Sequence, residues 1–276
     1  MPTTIHSVFH PNARLDAKPT DLIFTSADHV QFHVQRDRVV TSSSNCFNLL
    51  LYLPVEGPVV LAEDSDLVST ILHLIYEKQL TFQPSVSTIL ASFDTFRKYG
   101  LPLKKYFTPP SQFFEATRAQ ILAQPKEFAL EIYIHASQND LFELAKAASP
   151  VLLSFSLTML KKAKLQQIHP IYLVKLYALH SERLKVLQEI LRTPPPNHPT
   201  TPTCGAQGRE VFLKSWNIQA SQIIIESSAI PDTSSETIRN KLFAADTSLT
   251  CGDCKAMLRT AVSRVVHDWE GTNNTI

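Results

Sequence analysis

Glycine is scarce in this sequence, six residues in 276 against eighteen prolines. Phosphate-cradling loops and nucleophile elbows need glycine, because there the backbone turns sharply or lies against its ligand. The chain contains no GxGxxG, no GxxxxGK and no GxSxG, which disfavours most enzyme superfolds. An excess of charge of either sign is also lacking. Lys and Arg number 26 and Asp and Glu 25, a formal net charge of +1, and the basic residues are spread along the chain. No electrostatic footprint for nucleic acid or an anionic membrane is present. Nowhere do about 18 apolar residues run together, so no membrane span is expected. The N-terminal residues have neither the basic start nor the apolar run of a signal peptide. Four cysteines, Cys46, Cys204, Cys251 and Cys254, are too few for a secreted disulfide scaffold of this length. The chain reads as intracellular, cytoplasmic or nuclear, with reduced thiols.

What is present is enough apolar sequence for a core: 44% apolar against 18% charged residues. The length implies one large or two small folded units. Residues 1–19 are polar and without period, and read as a mobile lead-in. From Asp21 the pattern changes. Leu22, Ile23 and Phe24 form one strand, Ser26-Ala27-Asp28 a turn, and Val30, Phe32 and Val34 alternate with polar residues in a second strand. That alternation puts His33 on the solvent side. Val39 through Leu53 spreads apolar residues over a helix-length segment ending at Pro54, with Cys46 as a small buried hydrophobe.

Val59, Val60 and Leu61 make a brief strand before the acidic cluster Glu63-Asp64-Ser65. Leu67, Val68, Ile71, Leu72, Leu74 and Ile75 then follow helical spacing. Paired carboxylates can serve as general acid and base, but no catalytic partner is near these in sequence. Asp64 or Ser65 is the natural N-cap, and Glu63 and Asp66 suit the positive end of the helix dipole. A third helix carries Val86, Ile89, Leu90, Phe93 and Phe96 and ends near Tyr99-Gly100. Pro109-Pro110 interrupts regular structure. Strands first and helices after give an α+β class for residues 20–108.

The same segments carry a family resemblance. Asp21-Leu-Ile-Phe24, Val30 to Arg36, Ser43-Ser-Asn-Cys-Phe47, and Leu61-Ala-Glu-Asp-Ser65 followed by Leu72-His-Leu-Ile-Tyr76 resemble the successive blocks of a BTB/POZ domain of the type common in fungi. Lys98-Tyr99 resembles the pair closing its next helix, while Gln35 stands where the family's histidine is usual. The resemblance implies an N-terminal BTB/POZ-like domain, a small sheet with helices, followed by an all-α extension. The extension at residues 109–192, with Pro125 to Tyr133 and Tyr172 to His180, is similar in position to the BACK region of such proteins. Residues 193–208 read as a stiff, solvated proline-rich linker. Residues 209–276 read as a C-terminal helical region, with Phe212, Trp216 and a last helix through Met257, Leu258, Ala261, Val262, Val265, Val266 and Trp269. No repeat of propeller or ankyrin type is present. The resemblance implies a non-catalytic protein-interaction module that self-associates or scaffolds a partner. The alternative it implies is a substrate adaptor of a cullin-type ubiquitin ligase.

One cluster of chemistry-bearing residues remains. Cys251-Gly-Asp-Cys254 has the C-x2-C spacing that brings two thiolates to one side of a tetrahedral zinc site, with Cys204 as a third ligand. His198 and His267 are the histidines nearest in sequence, both at unorthodox spacing, so no fourth ligand is evident. A disulfide and plain packing of three small side chains stay open beside structural zinc, and packing is the leading expectation. His180-Ser-Glu182 upstream has the H-x-E form of zinc deaminases. Thr250 stands where that signature needs proline and no sheet surrounds it, so His180 reads as a helix residue at the edge of a core.

Overall fold

The structure is a computed structural model describing residues 4–16, 18–155, 157, 160–196, 198–201, 204–229 and 233–276. The chain divides into two compact units, Met1–Ala148 and Ser149–Ile276. The first is mixed α and β. Strands β1 (Thr4–Ile5), β2 (Leu22–Thr25), β3 (Val30–Val34) and β4 (Val59–Val60) form one sheet in the order β1-β3-β2-β4. The expected hairpin is present, with Phe24 opposite Phe32 and Leu22 opposite Val34 in antiparallel register. These four side chains are buried on one face. β4 pairs in parallel with β2, and β1 in parallel with β3.

That last pairing corrects the reading of a mobile lead-in for its described residues, 4–16 and 18–19; residues 1–3 and 17 lie outside the described residues. Phe9 and Leu15 are fully buried, and the Gln35 carboxamide donates to the carbonyls of Leu15 and Lys18. The apolar residues there are too few to show a period, but they have a sheet edge and a helix to cover. The same segment corrects His33. Its backbone N–H donates to the Phe9 carbonyl at 2.9 Å, its ring is half-buried, and its Nε2 has no partner.

Helix α1 (Arg36–Thr41) stops well short of Pro54. Cys46, Phe47, Asn48 and Leu49 all have left-handed φ values of 51–62°. For non-glycine residues that conformation costs about 1–2 kcal/mol each, so neighbouring contacts must hold the turn. Ser43 Oγ accepts from Phe47 N–H at 2.7 Å and donates to the Tyr99 carbonyl at 2.7 Å. Asn45 Nδ2 donates to the Lys98 carbonyl at 2.9 Å. Phe47 stacks between Phe24 and Tyr99. Gly100 must be glycine here, because its φ is +65° and a Cβ would lie 2.7 Å from the Asn45 side chain.

Helix α2 (Ser65–Ile75) is buried without a break from Leu67 to Ile75. Its apolar stripe faces the core, and the polar side chains Ser69 and His73 are covered by His6 and Phe9. Asp64 is the N-cap as expected, accepting from Leu67 N–H at 2.8 Å. Ser65 instead donates to Asp28 at 2.6 Å. Glu63 does not serve the helix start: it holds Lys98 Nζ at 2.8 Å and accepts from the Tyr99 hydroxyl. Asp64→Ala is expected to lower stability by about 1 kcal/mol, the usual loss for an N-cap. Urea unfolding of the first unit measures it, and no change in midpoint would remove the capping role.

Helices α3 (Val86–Lys98), α4 (Leu103–Tyr106), α5 (Gln112–Ala123), α6 (Lys126–Gln138) and α7 (Phe142–Leu152) follow. Phe93, Phe96, Phe107 and Phe113 form a continuous aromatic core between them. α7 ends at Leu152, and α8 (Lys162–Leu165) is a single turn.

In the second unit, α9 (Pro170–Arg192), α10 (Ala206–Ala229), α11 (Ser235–Phe243), a 3-10 turn (Ala244–Ser248) and α12 (Gly252–Glu270) pack around one core. Leu187 and Leu191 of α9 join Trp216, Leu242, Leu258 and Val265 in that cluster. The division between the two compact units falls at 148/149, within α7. The proline-rich stretch is not a solvated spacer, since Pro195 and His198 are buried and Arg264 donates to the Thr193 carbonyl. Proline prevents helix and ladder but does not prevent burial against a neighbouring helix.

Candidate metal centre

Three segments distant in sequence converge in the second unit. His198 comes from the proline-rich stretch, Cys204 lies just before α10, and Cys251 and Cys254 sit at the start of α12. All four side chains are buried, and their donor atoms lie within 4.8 Å of one another. Zn–S bonds of about 2.3 Å and Zn–N bonds of about 2.0–2.1 Å make tetrahedral edges of roughly 3.8 Å (S to S) and 3.5 Å (S to N). Cys204 Sγ and Cys254 Sγ are 3.6 Å apart. His198 Nε2 lies 3.2 Å from Cys254 Sγ and 3.7 Å from Cys251 Sγ. The cluster therefore has the donors and nearly the dimensions to hold a metal ion such as zinc.

The surroundings favour the ligand forms of these residues. His198 Nδ1 donates to the Pro199 carbonyl at 2.6 Å. That places the ring proton on Nδ1 and leaves the Nε2 lone pair facing the sulfurs, the outer support common for a metal-bound imidazole. The backbone N–H groups of Cys254 and Asp253 point at the Cys251 sulfur and hold its thiol below the ordinary range. Burial, with the neighbouring Cys204 and Cys251 sulfurs, pushes Cys254 up to about 12. Neighbouring thiolates repel one another; a divalent cation would offset that repulsion and hold its cysteine ligands as thiolates. Such a centre carries −1 overall. The first turns of α10 and α12, each with a partial positive charge of roughly half a unit, begin at two of its sulfurs.

The structure brings together all three cysteines named from the sequence and adds His198. His267 is not a ligand, being exposed in the last turn of α12. It lies 13 residues after Cys254, about 20 Å along the helix at 1.5 Å per residue. His180 belongs to α9 and is not among the clustered donors. Cys46 lies in the left-handed turn of the first unit, half-buried, and not in a helix. All four cysteines are free. His198 was obscured because five of its near neighbours in sequence are prolines, which read as spacer. Only the folding-back of that stretch onto α12 supplies the fourth donor.

A second polar cluster was not evident in the sequence. Ser69 Oγ on α2 lies 3.2 Å from His6 Nε2 and 3.4 Å from His73 Nδ1. A nucleophilic serine needs an imidazole nitrogen free to take its proton. His6 Nδ1 accepts from Val8 and Phe9 N–H, so its Nε2 carries the proton. His73 Nδ1 donates to the Ser69 carbonyl at 2.8 Å. Both rings are held below the ordinary histidine range, chiefly by burial. Two N–H groups face the hydroxyl and no base does.

No family model, curated protein or solved structure matches this chain. No helix among the described residues is long and apolar enough to cross a membrane.

Proposed function

We propose that this chain is a non-catalytic protein-interaction module, with a BTB/POZ-like domain at residues 20–108 within its first unit and a second unit held together by one structural zinc ion. The zinc reading rests on the donor set. Three thiolates and one imidazole fill a tetrahedron with protein ligands, leaving no position for water or substrate, as in structural and not catalytic zinc sites. Calcium and magnesium take oxygen donors and do not suit it.

The interaction reading rests on one observation in the first unit. Leu49, Tyr52 and Leu53 are 68%, 71% and 68% exposed, and Leu50 and Val55 are also exposed. They form a contiguous apolar patch around a shallow hollow. The left-handed turn that presents them is pinned by Ser43, Asn45 and Phe47. Arg36 adds hydrogen bonds to the Leu51 and Leu53 carbonyls, the latter at 2.9 Å. Backbone strain maintained in order to display apolar side chains is the pattern of a recognition surface. An exposed tyrosine within it suits a binding hot spot.

The test is a Tyr52→Ser, Leu53→Lys double variant compared with the wild type by sedimentation and by cross-linking mass spectrometry from native cells. The wild type is expected to self-associate or to cross-link to a partner through the first unit. The variant should lose that association while its thermal unfolding is unchanged. A cullin among the partners lost would select the adaptor reading. A monomeric wild type without partners, or an unaffected variant, would remove the interaction reading.

A further inference from the structure

One glycine lies where no turn requires it. Gly208 is the third residue of α10, at an ordinary helical φ, and glycine is the poorest helix former apart from proline. A Cβ built there would lie 2.6 Å from Cys204 Sγ and 3.8 Å from Cys204 Cβ, with nothing else within 4 Å beyond its chain neighbours and its own helix backbone. Gly205 and Gly252, in the same two ligand-bearing segments, have nothing within 4 Å of such an atom. The space that a side chain at 208 would fill is therefore taken by one metal-donor sulfur.

We propose that Gly208 is a positioning residue for the metal centre: its bare Cα lets the Cys204 thiolate lie in the first turn of α10, within bonding reach of a cation shared with His198, Cys251 and Cys254. This rests on the zinc reading above. The physical reason is a difference between the two states of the site. Cysteine has a single rotatable side-chain bond. In metal-free protein a methyl at 208 is relieved by turning the Cys204 sulfur within the cavity of about 150 Å³ at the donor cluster, which Cys204, Gly208, Leu249, Cys251 and Cys254 line. In metal-bound protein the sulfur is fixed by its bond to the cation and cannot turn away. A methyl at 208 thus acts against the metal-bound state alone, while in the helix itself alanine is preferred to glycine.

The two effects have opposite signs, which makes the inference testable on the full-length reduced chain. Zinc affinity is measured by competition with a chromophoric chelator, and thiolate coordination by the charge-transfer absorption of the cobalt-substituted site. Thermal unfolding is followed with and without chelator. Gly208→Ala is expected to weaken zinc binding by about 10–100-fold, the range for losing an outer support of a metal ligand. It should leave the melting temperature of the chelator-treated protein unchanged or higher. Gly205→Ala, the matched control, should bind zinc as the wild type does. Unaltered zinc affinity in Gly208→Ala would overturn the inference, as would equal destabilisation with and without chelator, the mark of an ordinary packing glycine. If the wild type itself binds neither zinc nor cobalt, the zinc reading fails and the role of Gly208 fails with it. That outcome is read from the wild type alone.

Discussion

Removing zinc from the reduced protein is expected to loosen the second unit and leave the first nearly untouched. Protein purified under reducing conditions should carry close to one zinc per chain by elemental analysis. Chelation should then accelerate amide exchange in the proline-rich stretch, in α10 and at the start of α12, with little change in residues 4–148. The magnitude follows from what a bound ion would join. Among the described residues, His198, Cys204 and the Cys251–Cys254 pair come from segments whose one shared bridge is that between Thr201 and Cys204. Apparent binding energies of structural zinc in small peptides are about 10–16 kcal/mol, comparable with the whole stability of a typical domain at about 5–15 kcal/mol. The second unit also has an apolar core with Trp216, Leu258 and Val265 fully buried. Partial loosening and a large fall in melting temperature are therefore expected, not full unfolding. Cys251→Ser with Cys254→Ser should reproduce the effect of the chelator. The affinity must also fall with acidification, because the ligands bind as thiolates and neutral imidazole and protons compete for them. Protein without zinc, and unchanged exchange in the double variant, would return these cysteines to simple packing.

Leu72→Ala should cost the first unit about 2–5 kcal/mol, the range for truncating a buried leucine. Leu72 is 1% exposed, as is Ile75 three residues on. The cavity left by the substitution has little means of closing, because its surroundings are fixed from several sides. Tyr76 at the end of α2 accepts a hydrogen bond from Gln35 N–H at 2.7 Å, and burial raises its hydroxyl to about 12. The lead-in segment packs against the Tyr76 ring through Phe9. Chemical denaturation followed separately for the two units should show the loss in the first alone. A change near zero would mean that α2 is not the centre of that unit, and the packing described for residues 4–148 would need revision.

The hairpin of β2 and β3, the Asp64 cap, helices α2 and α3, and the amphipathic face of α12 were all legible in the sequence. Each is encoded by neighbours within one or two turns: period-two alternation, a carboxylate three residues before an apolar run, apolar residues at helical spacing. The C-x2-C pair was legible for the same reason, since its two sulfurs share one helical turn. What needed the tertiary structure were features in which the partner lies far along the chain. Residues 4–16 look patternless because their order is imposed by the edge of β3 and by α2. The segment through Leu53 has apolar spacing that suits a helix, yet contacts with Tyr99 and Gly100 hold it in a left-handed turn. His198 becomes a donor only when a proline-rich stretch folds onto α12, and Gly208 has a reason only once the Cys204 sulfur occupies the space beside it. Local spacing fixes local structure through short-range hydrogen bonds and periodic burial; a four-donor centre is set by chain closure over more than fifty residues, which no local pattern encodes.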